Sequence, residues 1–169
     1  MNAESTTLSP SISWPRELSI VFGAALFLAI ASQISIPLQP VPLTFQSITV
    51  LLIGMALGPR LGGYAIALYL VAGSLGLPVF ADFHAGFATF MGPTGGYLIG
   101  FLPAAVISGY LTQQHWKVTG ALLGTFIIFG LGFAFLAQYL GTAQAWALGV
   151  KPFLISEPIK LMILCLFVK

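Results

Sequence analysis

Leu43–Pro78, LTFQSITVLLIGMALGPRLGGYAIALYLVAGSLGLP, carries a single charge, Arg60, in an otherwise apolar run. A helix crosses roughly 30 Å of hydrocarbon with about 20 residues, so this run is too long for one crossing. Gly58-Pro59-Arg60-Leu61-Gly62 divides it. Proline has no N–H to continue a helix, and glycine accepts the backbone angles of a sharp bend. The pattern predicts a hairpin of two short helices, about Thr44–Leu57 and Leu61–Gly76, with Arg60 at the tip.

Similar runs flank the hairpin. Leu18–Ile34 precedes it, separated by the polar, proline-rich break Ser35–Pro42. An irregular segment, Leu77–Thr94, follows and holds the only aspartate, Asp82. Then come Gly95–Thr112, the polar turn Gln113–Lys117, Thr119–Leu140, and Lys151–Val168. The expectation is an all-α integral membrane protein with six transmembrane helices in one domain over residues 16–169. Residues 1–15 are polar and lack the apolar core of a signal peptide, so they are expected to form a disordered cytoplasmic tail.

Composition agrees. Hydrophobic residues make up 58% of the 169 and charged residues 6%, with mean hydropathy +1.01. Soluble domains carry about 25% charged residues. A net charge of +2 from scattered basic residues gives no footprint for nucleic acid. One cysteine, Cys165, excludes an internal disulfide.

Arg16, Arg60, Lys117 and Lys169 flank spans on alternate turns, whereas the opposite loops offer only Lys151. The positive-inside rule therefore places both termini in the cytoplasm of a multi-pass cell-membrane protein. Small residues recur four apart at Gly54/Gly58/Gly62, Gly92/Gly96/Gly100, Gly120/Gly124 and Ala25/Ala29. That spacing lets another backbone approach one helix face. Internal packing explains most such pairs. The first helix, with no polar residue to point inward before Ser32, is the candidate for docking a partner through Ala25 and Ala29.

Ionisable groups inside a membrane are costly and mark functional sites. Glu157 and Lys160 stand three apart near the start of the last span, on one helix face. Together they accept and donate hydrogen bonds, which suits a ligand bearing both N–H groups and carbonyl or carboxylate oxygens. The bland alternative is a structural salt bridge. Pro158 between them implies either a kinked helix or a re-entrant loop beside a cavity open to the outside. Phe80, Asp82 and His84 of the irregular segment fall on the same side, where an aromatic loop can cap a ligand or sit in the interfacial belt. Thr44 and Gln46 head the second helix there. No nucleophile–base pair, zinc pair or phosphate-binding loop is present, so a small-molecule-binding role is expected, with no enzyme activity and no cofactor.

These outer-side motifs resemble the BioY family, the biotin-binding S components of energy-coupling factor (ECF) transporters. The matching pieces are Pro40-Val41-Pro42-Leu43-Thr44-Phe45-Gln46, Gly58-Pro59-Arg60-Leu61-Gly62, Gly76-Leu77-Pro78-Val79-Phe80, Gly92-Pro93-Thr94-Gly95-Gly96-Tyr97, and Pro152-Phe153 with Glu157 and Lys160. They occur in family order. The resemblance implies an S-component fold, capture of biotin from outside, and partnership with a transmembrane T subunit and two ABC-type ATPases. It implies that Tyr97 and His84 lie among ligand contacts, and that Ala25–Ala29 is the motif touching the T subunit. The family usually has aspartate where Glu157 stands, within a pattern like P-F-x-P-G-D-x-x-K; Ile155-Ser156 replaces its Pro-Gly, and Pro158 is added. The competing readings are an S component for another small vitamin and a membrane protein without a ligand.

Overall fold

The computed structural model describes residues 14–168; the expected tail, apart from Trp14 and Pro15, and the expected flanking charge of Lys169 lie outside them. The helices are α1 (Trp14–Ser32), α2 (Gln46–Ser74), α3 (Gly95–Gln113), α4 (Lys117–Leu140), α5 (Thr142–Gly149) and α6 (Phe153–Phe167). Four of them, α1 to α4, are long and apolar enough to cross a membrane.

α2 is the expected hairpin. Gly58 leaves the helical region at φ 78°, ψ 175°, just before Pro59. The side chains of Gln46 and Tyr69, 23 residues apart, meet at 2.7 Å; a straight helix would hold their backbones about 35 Å apart. The two arms touch through glycine, since a Cβ on Gly62 would come within 2.9 Å of the Gly54 Cα. Counting the arms separately, six helical segments run between the two ends of the bundle: α1, both arms of α2, α3, α4 and α6. α6 has 15 residues, about 22 Å at 1.5 Å per residue.

The glycine spacings are spent on internal packing. A Cβ on Gly54 would overlap the Ala105 carbonyl of α3, and one on Gly109 would strike the turn at Gly58–Pro59. Gly96 and Gly100 face α4, while Gly120 and Gly124 face α3 and Leu51. Between lipid-bathed helices no hydrophobic difference drives association, so this close fit supplies the attraction. Ala25 is buried in the same core, and Ala29 is half-buried at its edge. The pair is therefore not an outward stripe. The outward face of α1 carries Phe22, Gly23, Leu26, Phe27 and Ile30, and a Cβ at Gly23 would meet nothing within 4 Å.

Three connections are more ordered than the sequence suggests. The proline-rich break is closed by a two-residue antiparallel ladder, Ser35 opposite Thr44 and Ile36 opposite Leu43. The irregular segment contains two 3-10 turns, Ala81–Phe83 and Phe87–Thr89. The expected loop between the fifth and sixth spans is the short helix α5.

Arg16, Arg60 and Lys117 share one end of the bundle, whereas Lys151 lies at the other, between α5 and α6. Arg60 at the hairpin tip lies 3.7 Å from Glu17, and Lys117 Nζ donates to the Val168 carbonyl at 3.1 Å. Exposed Trp14, Tyr64, Tyr110 and Trp116 belong to helix segments at this end, and exposed Tyr139 and Trp146 to the other, as in the aromatic belts of membrane proteins. In a Cys165→Ser background, cysteines introduced at Gln113 and Thr142 should label from opposite faces of the membrane. Labelling of both from outside would contradict this topology.

Candidate ligand-binding cavity

The end opposite Arg60 encloses a cavity of about 650 Å³, within the range of about 300–1,000 Å³ usual for small-molecule sites. Its walls come from the ladder connection (Pro37–Pro42), the head of α2, the segment before α3, and the outer halves of α3, α4 and α6. Six of the sequence-predicted site residues line it: Thr44, Gln46, Phe80, Asp82, His84 and Tyr97. Leu98, Phe101, Ile128, Phe129 and Phe153 make the apolar part of the wall.

Each polar member is held by a specific contact. Thr44 Oγ1 accepts from the Gln46 N–H at 3.2 Å. The Ser35 hydroxyl donates to Asp82 at 2.7 Å, and the His84 ring contacts the Ala81 carbonyl through Nδ1 at 2.9 Å. Asp82 and Phe83 adopt φ 55° and 58°, the left-handed region that non-glycine residues enter at a cost and that clusters at functional sites. This turn is pinned to the residue that follows α1. Gln33 donates to the Phe80 carbonyl at 3.0 Å and accepts from the Phe83 N–H at 3.1 Å. Phe80 is buried edge-on against Tyr69, with ring centres 5.5 Å apart, and fills the space that a side chain at Gly73 would need.

Tyr97 presents its ring. Its hydroxyl donates to the Gly149 carbonyl at 2.8 Å, fastening α5 to α3. The ring sits edge-on to Phe129 at 5.9 Å and fits where Gly132 has no side chain.

Glu157 and Lys160 stand behind the wall and are not among the residues lining the cavity. They form a buried pair, Nζ to Oε1 2.8 Å. Lys160 also donates to the Thr44 carbonyl at 2.9 Å, and the Ser47 hydroxyl donates to Glu157 at 3.2 Å. Thr44 and Ser47 are themselves cavity-lining, so the charges sit one residue layer from its interior. α6 runs helically through Pro158. It turns Phe153, Glu157, Lys160 and Leu164 inward and Leu154, Ile155, Ile159, Met162 and Ile163 outward. Charge inside and apolar residues outside invert the pattern of a soluble amphipathic helix.

Sequence reasoning missed Ser47, Tyr69, Phe129 and Phe153. The one local signal was Pro152-Phe153 ahead of Glu157; the other three sit inside apolar runs. Removing one member of a buried pair leaves an uncompensated charge, at a cost of about 3–5 kcal/mol, whereas replacing both is far milder. Lys160→Met should therefore lower the thermal midpoint in detergent by several degrees, and adding Glu157→Leu should restore most of it. An unchanged midpoint for Lys160→Met would show that the pair contributes nothing to the fold.

Comparisons with known proteins point one way. The model of the BioY family matches residues 2–169. The probable biotin transporter BioY of Pyrococcus horikoshii is 43% identical over 148 residues, covering 86% of this chain and 89% of that protein. The biotin transporter BioY of Thermotoga maritima is 38% identical, covering 82% and 85%. In fold, the chain is similar to the crystal structure of the S-component for biotin from an ECF-type ABC transporter. The TM-score is 0.82 at 22% identity, covering 94% of this chain and 93% of that one.

Proposed function

Because this chain belongs to the BioY family, we propose that it is the biotin-binding S component of an ECF-type transporter and that biotin occupies the cavity opposite Arg60. The observation that carries the reading is the cavity's division into a polar wall and an apolar wall. Thr44, Gln46 and Ser47 make the polar wall, backed by Glu157 and Lys160. Leu98, Phe101, Ile128, Phe129 and Phe153 make the apolar wall, and Asp82 and His84 belong to the loop over the cavity. Biotin has the complementary division: a ureido group with two N–H donors and one oxygen, an apolar ring and chain, and a carboxylate. The ureido group faces the polar wall, where Glu157 attracts its N–H groups and Lys160 its oxygen. The chain lies along Leu98, Phe101 and Phe129, and the carboxylate points to the mouth, where it stays hydrated.

The basic residues of the other end orient it to the cytoplasm by the positive-inside rule, so the cavity opens outward. With no phosphate-binding loop in the sequence, the energy for release comes from partner subunits, a transmembrane T subunit and two ABC-type ATPases. α1 docks the T subunit through its outward face at Gly23, Leu26, Phe27 and Ile30, with Ala29 at its margin and Ala25 backing it from within the core.

Biotin titration of the purified chain tests the reading. Glu157→Gln keeps the shape but adds a donor where an acceptor is needed, and it strands Lys160. At about 3–5 kcal/mol, with about 1.4 kcal/mol per tenfold, biotin affinity should fall at least about a hundredfold. Glu157→Asp should be milder. A folded Glu157→Gln protein that binds biotin within about threefold of the parent, a difference of about 0.65 kcal/mol, would show that the pair has no part in the site.

A further inference from the structure

The buried hydroxyl of Tyr69 fixes which end of the Gln46 carboxamide faces the cavity. Tyr69 is 1% exposed. Its oxygen lies 2.9 Å from the Val79 carbonyl oxygen and 2.7 Å from Gln46 Nε2. Two oxygens at 2.9 Å attract only with a proton between them. A carbonyl has none, so the proton is the tyrosine's. With that proton committed, Tyr69 can only accept from Gln46, and the carboxamide must turn an N–H toward it. A flipped carboxamide would set Oε1 against a tyrosine lone pair at hydrogen-bond distance, with no proton to bridge them.

The relay is anchored at both ends. The Val79 carbonyl also lies 2.7 Å from the Ser32 hydroxyl, whose one proton is shared with the Ala29 carbonyl at the same distance. Gln46 is held by its own N–H, which bonds Thr44. No hydrogen bond within the described residues reaches Gln46 Oε1, and no buried side-chain oxygen among them lacks a partner. Oε1 is therefore open to the cavity that Gln46 lines.

We propose that Tyr69 is a positioning residue that makes Gln46 a fixed hydrogen-bond acceptor, so that this part of the wall selects a ligand presenting an N–H. The inference rests on the biotin reading, in which a ureido N–H is that donor. The preference is steep in principle, because a site built around a hydrogen bond rejects a ligand that leaves its polar group unpaired.

Tyr69→Phe removes the hydroxyl and keeps the ring packed on Phe80. Biotin binding would be measured for the purified parent, Tyr69→Phe, Gln46→Leu and the double variant, together with two biotin analogues, each methylated at one ureido nitrogen. Tyr69→Phe should weaken biotin binding about tenfold, and should change it by less than about threefold once Gln46→Leu is present. One of the two analogues should bind the parent poorly and be indifferent to Tyr69→Phe. That indifference decides the matter where Gln46→Leu binds too weakly to measure. An equal loss in both Gln46 backgrounds, or an equal loss for biotin and both analogues, would make Tyr69 merely structural. Parent-like biotin affinity in Tyr69→Phe would also overturn the proposal. A parent that binds no biotin would instead overturn the ligand reading on which it rests.

Discussion

One contact governs the outer half of this protein: a carboxylate and an ammonium 2.8 Å apart, enclosed within a membrane helix bundle. Taking two charges out of water costs several kcal/mol each, and their attraction offsets this only when further hydrogen bonds satisfy them. Glu157 and Lys160 find those bonds at Ser47 and the Thr44 carbonyl, so the face that α6 turns inward is settled. Thr44 is in turn laddered to Ser35, and Ser35 holds Asp82. A chain of polar contacts thus runs from the last helix through the head of α2 to the loop over the cavity.

The other half rests on contact between backbones. Gly54, Gly96, Gly100, Gly109 and Gly120 let α2, α3 and α4 approach until the main chain of one meets that of the next. A side chain added at Gly54, Gly96, Gly109 or Gly120 would come within 3.0 Å of backbone atoms, and one at Gly100 would press on Ile128. The cavity walls taken from α3 and α4 are thus set by backbone contact, whereas the 3-10 turn at Ala81–Phe83 is held by side-chain hydrogen bonds from Ser35 and Gln33.

Much of this was legible in the sequence. Gly58-Pro59 inside an overlong apolar run gave the hairpin, because a bend there is a local property of those two residues. The inward pair was legible as well, since charges in lipid must find partners. Other features depend on contacts distant in the chain. α5 has eight residues, too few to show a helical period against its apolar surroundings. The direction of Ala25 depends on how α1 rolls against α2, and the uniformly apolar stretch from Ile20 to Ala31 carries no polar face to announce it. Tyr69 looked like one more apolar residue of a span; its partners stand 23 residues before it and 10 after. That Glu157 and Lys160 lie one layer behind the wall followed from the placement of Thr44 and Ser47, which spacing alone does not give.

Membrane fold, polar wall and ligand donors meet in one testable place, a crystal structure of the chain with biotin bound. Density is expected in the cavity between Gln46, Tyr97 and Phe129, with the ureido group about 3 Å from the polar wall and Lys160 still paired with Glu157. Biotin bound elsewhere, such as the apolar cleft between Pro103 and Phe126 on the lipid face, or a ureido group turned to the mouth, would contradict it.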